Sequence, residues 1–276
     1  MELEDVDVVQ ILIVSVLIFL PLLYELSSTF KYYAKMWLLY VILAFGSLLT
    51  IILGLHRWRD PENAKLICWI LSYTSKLFGI RAEIRGSENL RLDKPCVVVA
   101  NHQSSLDLFG MYMNGVWPDR CVPLAKKELR MVPFYGWVAW LTGAIFIDRL
   151  NPESAKGTID ATVKVLREQN LKVWVFPEGT RNHDAGLLPF KKGAFHLAIT
   201  AQVPVCPVVF SSYSEFYSKK EKRFGTGKFT ITVLPPIMTD GKTTEDVTEL
   251  TEQVRKQMLN VYNESSMQRL ESNGVN

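Results

Sequence analysis

Two charge-free apolar stretches lie near the start of the chain. Residues 8–24 and 37–55 carry no charged side chain. At about 1.5 Å per residue, each helix approaches the roughly 30 Å depth of a bilayer's hydrocarbon core. The second stretch is interrupted by Gly46-Ser47 and bounded by Trp37 and by His56-Arg57-Trp58-Arg59, the aromatic and basic mixture that collects at a lipid–water boundary. The first is preceded by acids (Glu2, Glu4, Asp5, Asp7) and followed by no small-residue cleavage site, which is unlike a secretory signal. Basic residues flank the second stretch on both sides (Lys31 and Lys35, then Arg57 and Arg59), so loop charge does not orient it. Two full spans, a hairpin entering and leaving one leaflet, and two buried core helices are the three readings.

Beyond residue 60 the period changes. Short β-branched runs appear at Ile80–Arg85, Cys96–Ala100, 121–125, 144–147, 173–176, Val205–Phe210 and 229–234, and each predicts a strand. The all-apolar run Cys-Val-Val-Val-Ala at Cys96–Ala100 predicts one covered on both faces. Between the strands, Asn151-Pro152 opens a helix whose stripe is Ala155, Ile159, Val163 and Leu166. A second helix is expected over residues 192–201. A third follows Val247, Leu250, Val254, Met258 and Val261, amphipathic and packed on the sheet. The expectation is an α/β fold: a mixed sheet flanked by helices (residues 61–270), behind a membrane anchor of two hydrophobic helices (residues 1–60), with a frayed tail at 271–276.

Composition narrows this little. A net charge of +3 is too small to imply nucleic acid, and 48% hydrophobic residues exclude global disorder. With the acids crowded at the N-terminus, the remainder is more basic than the total, a surface suited to anionic headgroups or phosphorylated substrates. One basic cluster, Lys219, Lys220, Lys222 and Arg223, reads equally as a solvated face. Four cysteines (Cys68, Cys96, Cys121, Cys206) lack metal spacing and read as reduced thiols. His56, His183 and His196 have no ligand partners at zinc spacing, so no metal site is expected.

The candidate chemistry sits where strands end. Asn101-His102-Gln103-Ser104-Ser105-Leu106-Asp107 follows the buried strand Cys96–Ala100, placing His102 at a carboxyl end, where α/β sheets put ligands. A carboxylate five positions on can fix the imidazole tautomer and stabilise the imidazolium. Asp107 can equally complement the dipole of a helix capped by Ser104 or Ser105. Those serines lack a Gly-x-Ser-x-Gly elbow, which argues against a serine hydrolase. Phe176-Pro177-Glu178-Gly179-Thr180-Arg181 also follows a strand, presenting a guanidinium able to grip a phosphate with two bonds. Glu178 can orient Arg181, bind a substrate hydroxyl, or form a structural ion pair. Lys126 and Arg149 stand just past two further strands, so three cations converge on one rim. In Val203-Pro204-Val205-Cys206-Pro207-Val208 the prolines read as structural or tunnel-lining.

These four blocks, in this order, resemble the glycerolipid acyltransferase family. Its His-x4-Asp motif matches His102 and Asp107. Its Lys-x2-Leu-x6-Gly-x12-Arg motif matches Lys126, Leu129, Gly136 and Arg149 without a gap. Its Glu-Gly-Thr-Arg motif matches Glu178, Gly179, Thr180 and Arg181, and its proline-rich fourth block matches residues 203–208. The resemblance covers roughly residues 60–265. Within the family the chain is most similar to the animal 1-acylglycerol-3-phosphate acyltransferases of alpha and beta type, through residues 101–107, 176–182 and 189–195. The resemblance implies acyl-CoA as donor and co-substrate with no further cofactor, lysophosphatidic acid as acceptor, phosphatidic acid as product, and an endoplasmic reticulum membrane. It implies His102 and Asp107 as catalytic groups. Lys126, Arg149 and the stretch Glu178, Gly179, Thr180 and Arg181 would form the substrate's phosphate site. Competing readings are the same chemistry on glycerol 3-phosphate or another lysophospholipid, an inactive lipid-binding membrane protein, and a lysophospholipase.

Overall fold

In the computed structural model, residues 8–113, 115–148 and 150–272 are described. The early acids, Arg149 and the last four residues of the expected tail lie outside them. The apolar N-terminus forms two helices, α1 (Val8–Leu26) and α2 (Ser28–Gly54). Ser27 separates them, its hydroxyl accepting the Phe30 N–H at 3.2 Å and so capping α2. Then follow α3 (Ala64–Leu77), β1 (Ile80–Arg85), β2 (Cys96–Ala100), α4 (Asp107–Met111), β3 (Cys121–Lys126), α5 (Tyr135–Leu141), β4 (Ile145–Ile147), α6 (Pro152–Glu168), β5 (Lys172–Val175) and α7 (Gly193–Ala201). The chain closes with β6 (Val205–Phe210), a hairpin of β7 (Tyr217–Ser218) and β8 (Arg223–Phe224), β9 (Gly227–Val233) and α8 (Val247–Ser272).

Seven strands make one sheet in the order β1-β9-β6-β2-β5-β3-β4. From β6 to β4 every pair is parallel; β9 joins β6 antiparallel, and β1 runs parallel to β9. The sheet is mixed, as the alternation of runs implies. Five carboxyl ends therefore meet one edge, and four of them lead into the motif segments.

The period of two in β2 divides the protein into layers. Cys96, Val98 and Ala100 point into a core shared with α2, α3 and α4, through Leu39, Leu71 and Phe109. Val97 and Val99 point into the opposite core, against Leu166 of α6, Phe195 of α7 and Val254 of α8. Ile159 and Val163 of α6 pack at that core's margin, as the stripe predicts, as does Val261 of α8; the Ala155 side chain lies outside the described residues.

α2 is part of this architecture and not a separate appendage. Tyr32, Met36 and Leu39 are buried in the first core, and Thr50 and Gly54 are buried near its other end. A Cβ on Gly54 would lie 2.8 Å from Asn63 Oδ1, so only glycine admits this approach. The basic cluster 219–223 turns out to be the β7–β8 hairpin, which docks on α2 with Lys222 Nζ 5.5 Å from the Tyr32 ring and Lys35 Nζ 5.2 Å from the Phe224 ring. α1 by contrast has no buried residue.

Candidate active site

β2 and β5 are adjacent and parallel, so the segments after them emerge side by side. The 101–107 loop is fixed first by side chains that imitate a sheet ladder. Asn101 donates to the Phe210 carbonyl at 3.0 Å and accepts the Phe210 N–H at 2.8 Å. Gln103 Nε2 donates to the carbonyls of Phe210 (3.1 Å) and Ser211 (3.0 Å). β6 thus anchors the loop from one side, and the 176–182 turn braces it from the other. The His102 N–H donates to Glu178 Oε1 at 2.7 Å, and the Asn182 N–H donates to the His102 carbonyl at 2.7 Å.

On this frame Asp107, at the start of α4, accepts three bonds at one carboxylate oxygen. Oδ2 lies 2.6 Å from His102 Nδ1, 2.7 Å from the Gln103 N–H and 3.1 Å from the Ser104 N–H. A buried acid at a helix start and a histidine pairing are therefore one arrangement, and the two functions posed for Asp107 coincide. The pairing sets the tautomer: Nδ1–H donates to the carboxylate, leaving Nε2 to accept a proton. The His102 ring stacks on Phe176 at 4.1 Å and 18°, which holds its plane. Its side chain is 20% exposed against 2% for Asp107, so the imidazole is open to the surface and its carboxylate partner is not.

The serines have structural work. Ser104 Oγ accepts the Leu106 N–H at 2.9 Å, and Ser105 Oγ lies 3.1 Å from the Tyr40 hydroxyl of α2. Glu178, expected among the phosphate-binding groups, directs both carboxylate oxygens at backbone N–H groups, those of His102 and of Leu188 (2.9 Å). Burial pushes its carboxyl above the ordinary range, against the lowering effect of those bonds. Gly179 has φ +73, the left-handed region that favours glycine, and a Cβ there would meet only the flexible end of the Lys191 side chain, at 2.9 Å. Arg181 is exposed at the same edge, its charge reaching Tyr135 at the start of α5 and Tyr217 of the hairpin. It also reaches His183, whose pKa is lowered by burial first and then by Lys219 and Arg181. Lys126 is exposed at the end of β3, one strand beyond β5, and Gly136 lets α5 begin against the carbonyls of Leu129 and Arg130. Arg149 lies outside the described residues.

Pro204 and Pro207 keep their carbonyls in the sheet, accepting N–H groups of Val97 (3.0 Å) and Leu234 (2.9 Å). All four cysteines are free and buried, and burial lifts the Cys68 thiol to about 12. Among the described residues no three His, Cys, Asp or Glu side chains assemble as a metal site. Sequence reasoning missed the tyrosines that wall the site: Tyr40, Tyr213 and Tyr217 come from elements remote in sequence, and no local spacing marks them.

Comparison with known proteins follows the same lines. The profile of the Acyltransferase family matches residues 81–211. The chain is 47% identical over 247 residues to the 1-acyl-sn-glycerol-3-phosphate acyltransferase alpha of Homo sapiens, covering 90% of this chain and 87% of that protein. Against the human beta protein it is 41% identical, with 89% and 88% covered. Against the 1-acyl-sn-glycerol-3-phosphate acyltransferase of Saccharomyces cerevisiae it is 35% identical, with 85% and 78% covered. The crystal structure of the 1-acyl-sn-glycerophosphate (LPA) acyltransferase PlsC from Thermotoga maritima superposes with a TM-score of 0.64 at 26% identity, covering 86% of this chain and 95% of that one.

Proposed function

This chain belongs to the acyltransferase family, and from that premise we propose that it moves a fatty acyl group from acyl-CoA to the sn-2 hydroxyl of 1-acyl-sn-glycerol 3-phosphate, giving phosphatidic acid. The observation that carries the reading is the 2.6 Å bond from His102 Nδ1 to Asp107 at the carboxyl end of β2. His102 Nε2 takes the proton of the acceptor hydroxyl while its oxygen attacks the thioester carbonyl carbon. The tetrahedral adduct collapses, the carbon–sulfur bond breaks, and the imidazolium returns the proton to the departing thiolate. An ester forms, a thioester is consumed, and no acyl-enzyme intervenes. This accords with Ser104 and Ser105 being engaged elsewhere. Asp107 holds the tautomer and supports the imidazolium. Arg181, with Lys126, Arg149 and the turn Glu178, Gly179 and Thr180, receives the acceptor phosphate, Glu178 acting by bracing the turn.

The enzyme works at a membrane, for which the endoplasmic reticulum is our reading. α1 exposes Ile11, Leu12, Leu17 and Phe19, a surface that water alone leaves uncovered at high cost. α2 lies along the domain from Tyr32 to Gly54, which favours a hairpin in one leaflet over two independent spans.

The test uses purified protein and labelled acyl-CoA. His102→Ala is expected to lower turnover about 10³–10⁴-fold with the fold intact. Activity within a few-fold of the parent would remove His102 from the mechanism. Arg181→Lys is expected to raise KM for the phosphorylated acceptor about 10-fold and to spare acyl-CoA, because ammonium lacks the two-pronged geometry. An equal loss with an unphosphorylated acceptor would instead mark Arg181 as structural.

A further inference from the structure

Asp107 satisfies one of its two carboxylate oxygens. Oδ2 takes the three bonds described, while Oδ1 is buried with no hydrogen-bond partner. The Tyr213 hydroxyl, three residues past β6, is also buried and also lacks a partner at ordinary hydrogen-bond geometry. The two unmatched groups bear on each other. Burial pushes the Tyr213 phenol well above its ordinary value, and the Asp107 carboxylate, through its charge and as an acceptor, pushes it further. A buried donor and a buried acceptor, both unmatched and near enough to act on each other, each carry a desolvation cost that a single bond would remove.

The phenol is held for this. Tyr213 is 3% exposed, and its ring packs edge-on against Phe229 at 5.1 Å and against Phe216 at 5.6 Å. Its carbonyl accepts the N–H groups of Phe216 (3.1 Å) and Tyr217 (2.8 Å), which fixes the turn that carries it. We infer that Tyr213 is a positioning residue: its hydroxyl donates to Asp107 Oδ1 in the working enzyme, locking the carboxylate plane and, through it, the His102 ring. Bonds of this kind are often long without substrate and tighten in the reacting complex. The inference rests on His102 and Asp107 being the catalytic pair.

Removing this donor has a definite sign. The groups around the carboxylate are His102 on its own loop, Glu178 from the turn after β5 and Tyr213 after β6; Tyr262 of α8 lies against Tyr213. A carboxylate with one fewer donor keeps more of its charge for the imidazolium, which it then stabilises more strongly. The experiment is kcat and kcat/KM against pH for the full-length protein in detergent. Tyr213→Phe is expected to lower kcat about 10-fold, the loss of one charge-assisted bond, and to move the acidic limb up by about half a pH unit. Tyr262→Phe, which also deletes a buried hydroxyl, is expected to leave that limb in place. A 3-fluorotyrosine at position 213, a more acidic phenol of nearly the same size, moves the limb down, and it serves equally if Tyr213→Phe does not fold. In an Asp107→Asn background Tyr213→Phe is expected to add nothing. His102→Ala, run alongside, reports on the reading beneath. If it stays active, the catalytic pair itself is wrong. If it is inactive while neither change at position 213 moves the limb, the positioning role alone is overturned.

Discussion

The most apolar 18-residue stretches of the two N-terminal helices have nearly the same mean hydropathy, 2.3 in α1 and 2.4 in α2, yet the helices differ in what they touch. α1 buries nothing, whereas α2 carries a seam of Tyr32, Met36 and Leu39 that completes the core beneath the 101–107 loop. The Tyr40 hydroxyl then reaches Ser105, two residues from Asp107. Hydropathy measures the wish to leave water and says nothing about the destination: α1 has no protein surface to cover it, while α2 buries one face in the core and leaves the other exposed. The two helices are neighbours in sequence but distinct in kind.

Truncation separates them most strongly. Removing residues 1–54 takes three large side chains out of the core, each worth about 1.5–3 kcal/mol, against a total stability of about 5–15 kcal/mol. The expected outcome is a chain with no cooperative melting transition. Removing residues 1–26 is expected to keep that transition and to weaken only binding to vesicles. Equal tolerance of both truncations would make α2 a mere anchor.

One substitution in both helices gives the next contrast. Leu39 is 1% exposed and Leu17 67%. Leu39→Ala is expected to cost about 2–5 kcal/mol in denaturant unfolding, and Leu17→Ala less than about 0.5 kcal/mol. Comparable losses would place α1 inside the fold. The smallest effect is at the hydroxyl that joins α2 to the loop. Tyr40→Phe is expected to slow turnover about 5-fold, the worth of one neutral hydrogen bond near 1 kcal/mol, with little change in Tm. Tyr33→Phe, whose ring is exposed on the same helix, is expected to change neither.

Strands were legible where turn residues or charges punctuate an apolar run: the edge strand Ile80–Arg85, exposed on one face, and the fully buried Cys96–Ala100 and Val205–Phe210 have the bounds their runs suggest. The His102–Asp107 pairing was legible because a strand-to-helix turn closes five residues into contact. α3 was not: its buried positions include Cys68, Thr74 and Ser75, small and polar residues that give a weak stripe. The Lys219–Arg223 cluster hid a hairpin, since lysines that stack on tyrosine rings read as solvated charge. The bracing contacts of Glu178 were hidden for another reason. Its partners are backbone N–H groups contributed by the 102 loop and by Leu188, and no motif lists a backbone. The seam of α2 had the spacing of a helical face, but it straddles the start of the charge-free run at Trp37, whose uniform apolarity masks it.

The Tyr32–Tyr217 contact joins residues 185 positions apart. At roughly 5–20 residues per second, a ribosome that has finished the first tyrosine needs about 10–40 s to make the second. During that interval the inner face of α2 has no β7–β8 hairpin to rest on, and at the membrane proposed for this enzyme lipid is the solvent at hand. The helix is thus expected to enter the bilayer before its enzyme exists and to be drawn partly out of it as the sheet closes. Assembly of the catalytic wall is then a late exchange of lipid for protein, timed by synthesis.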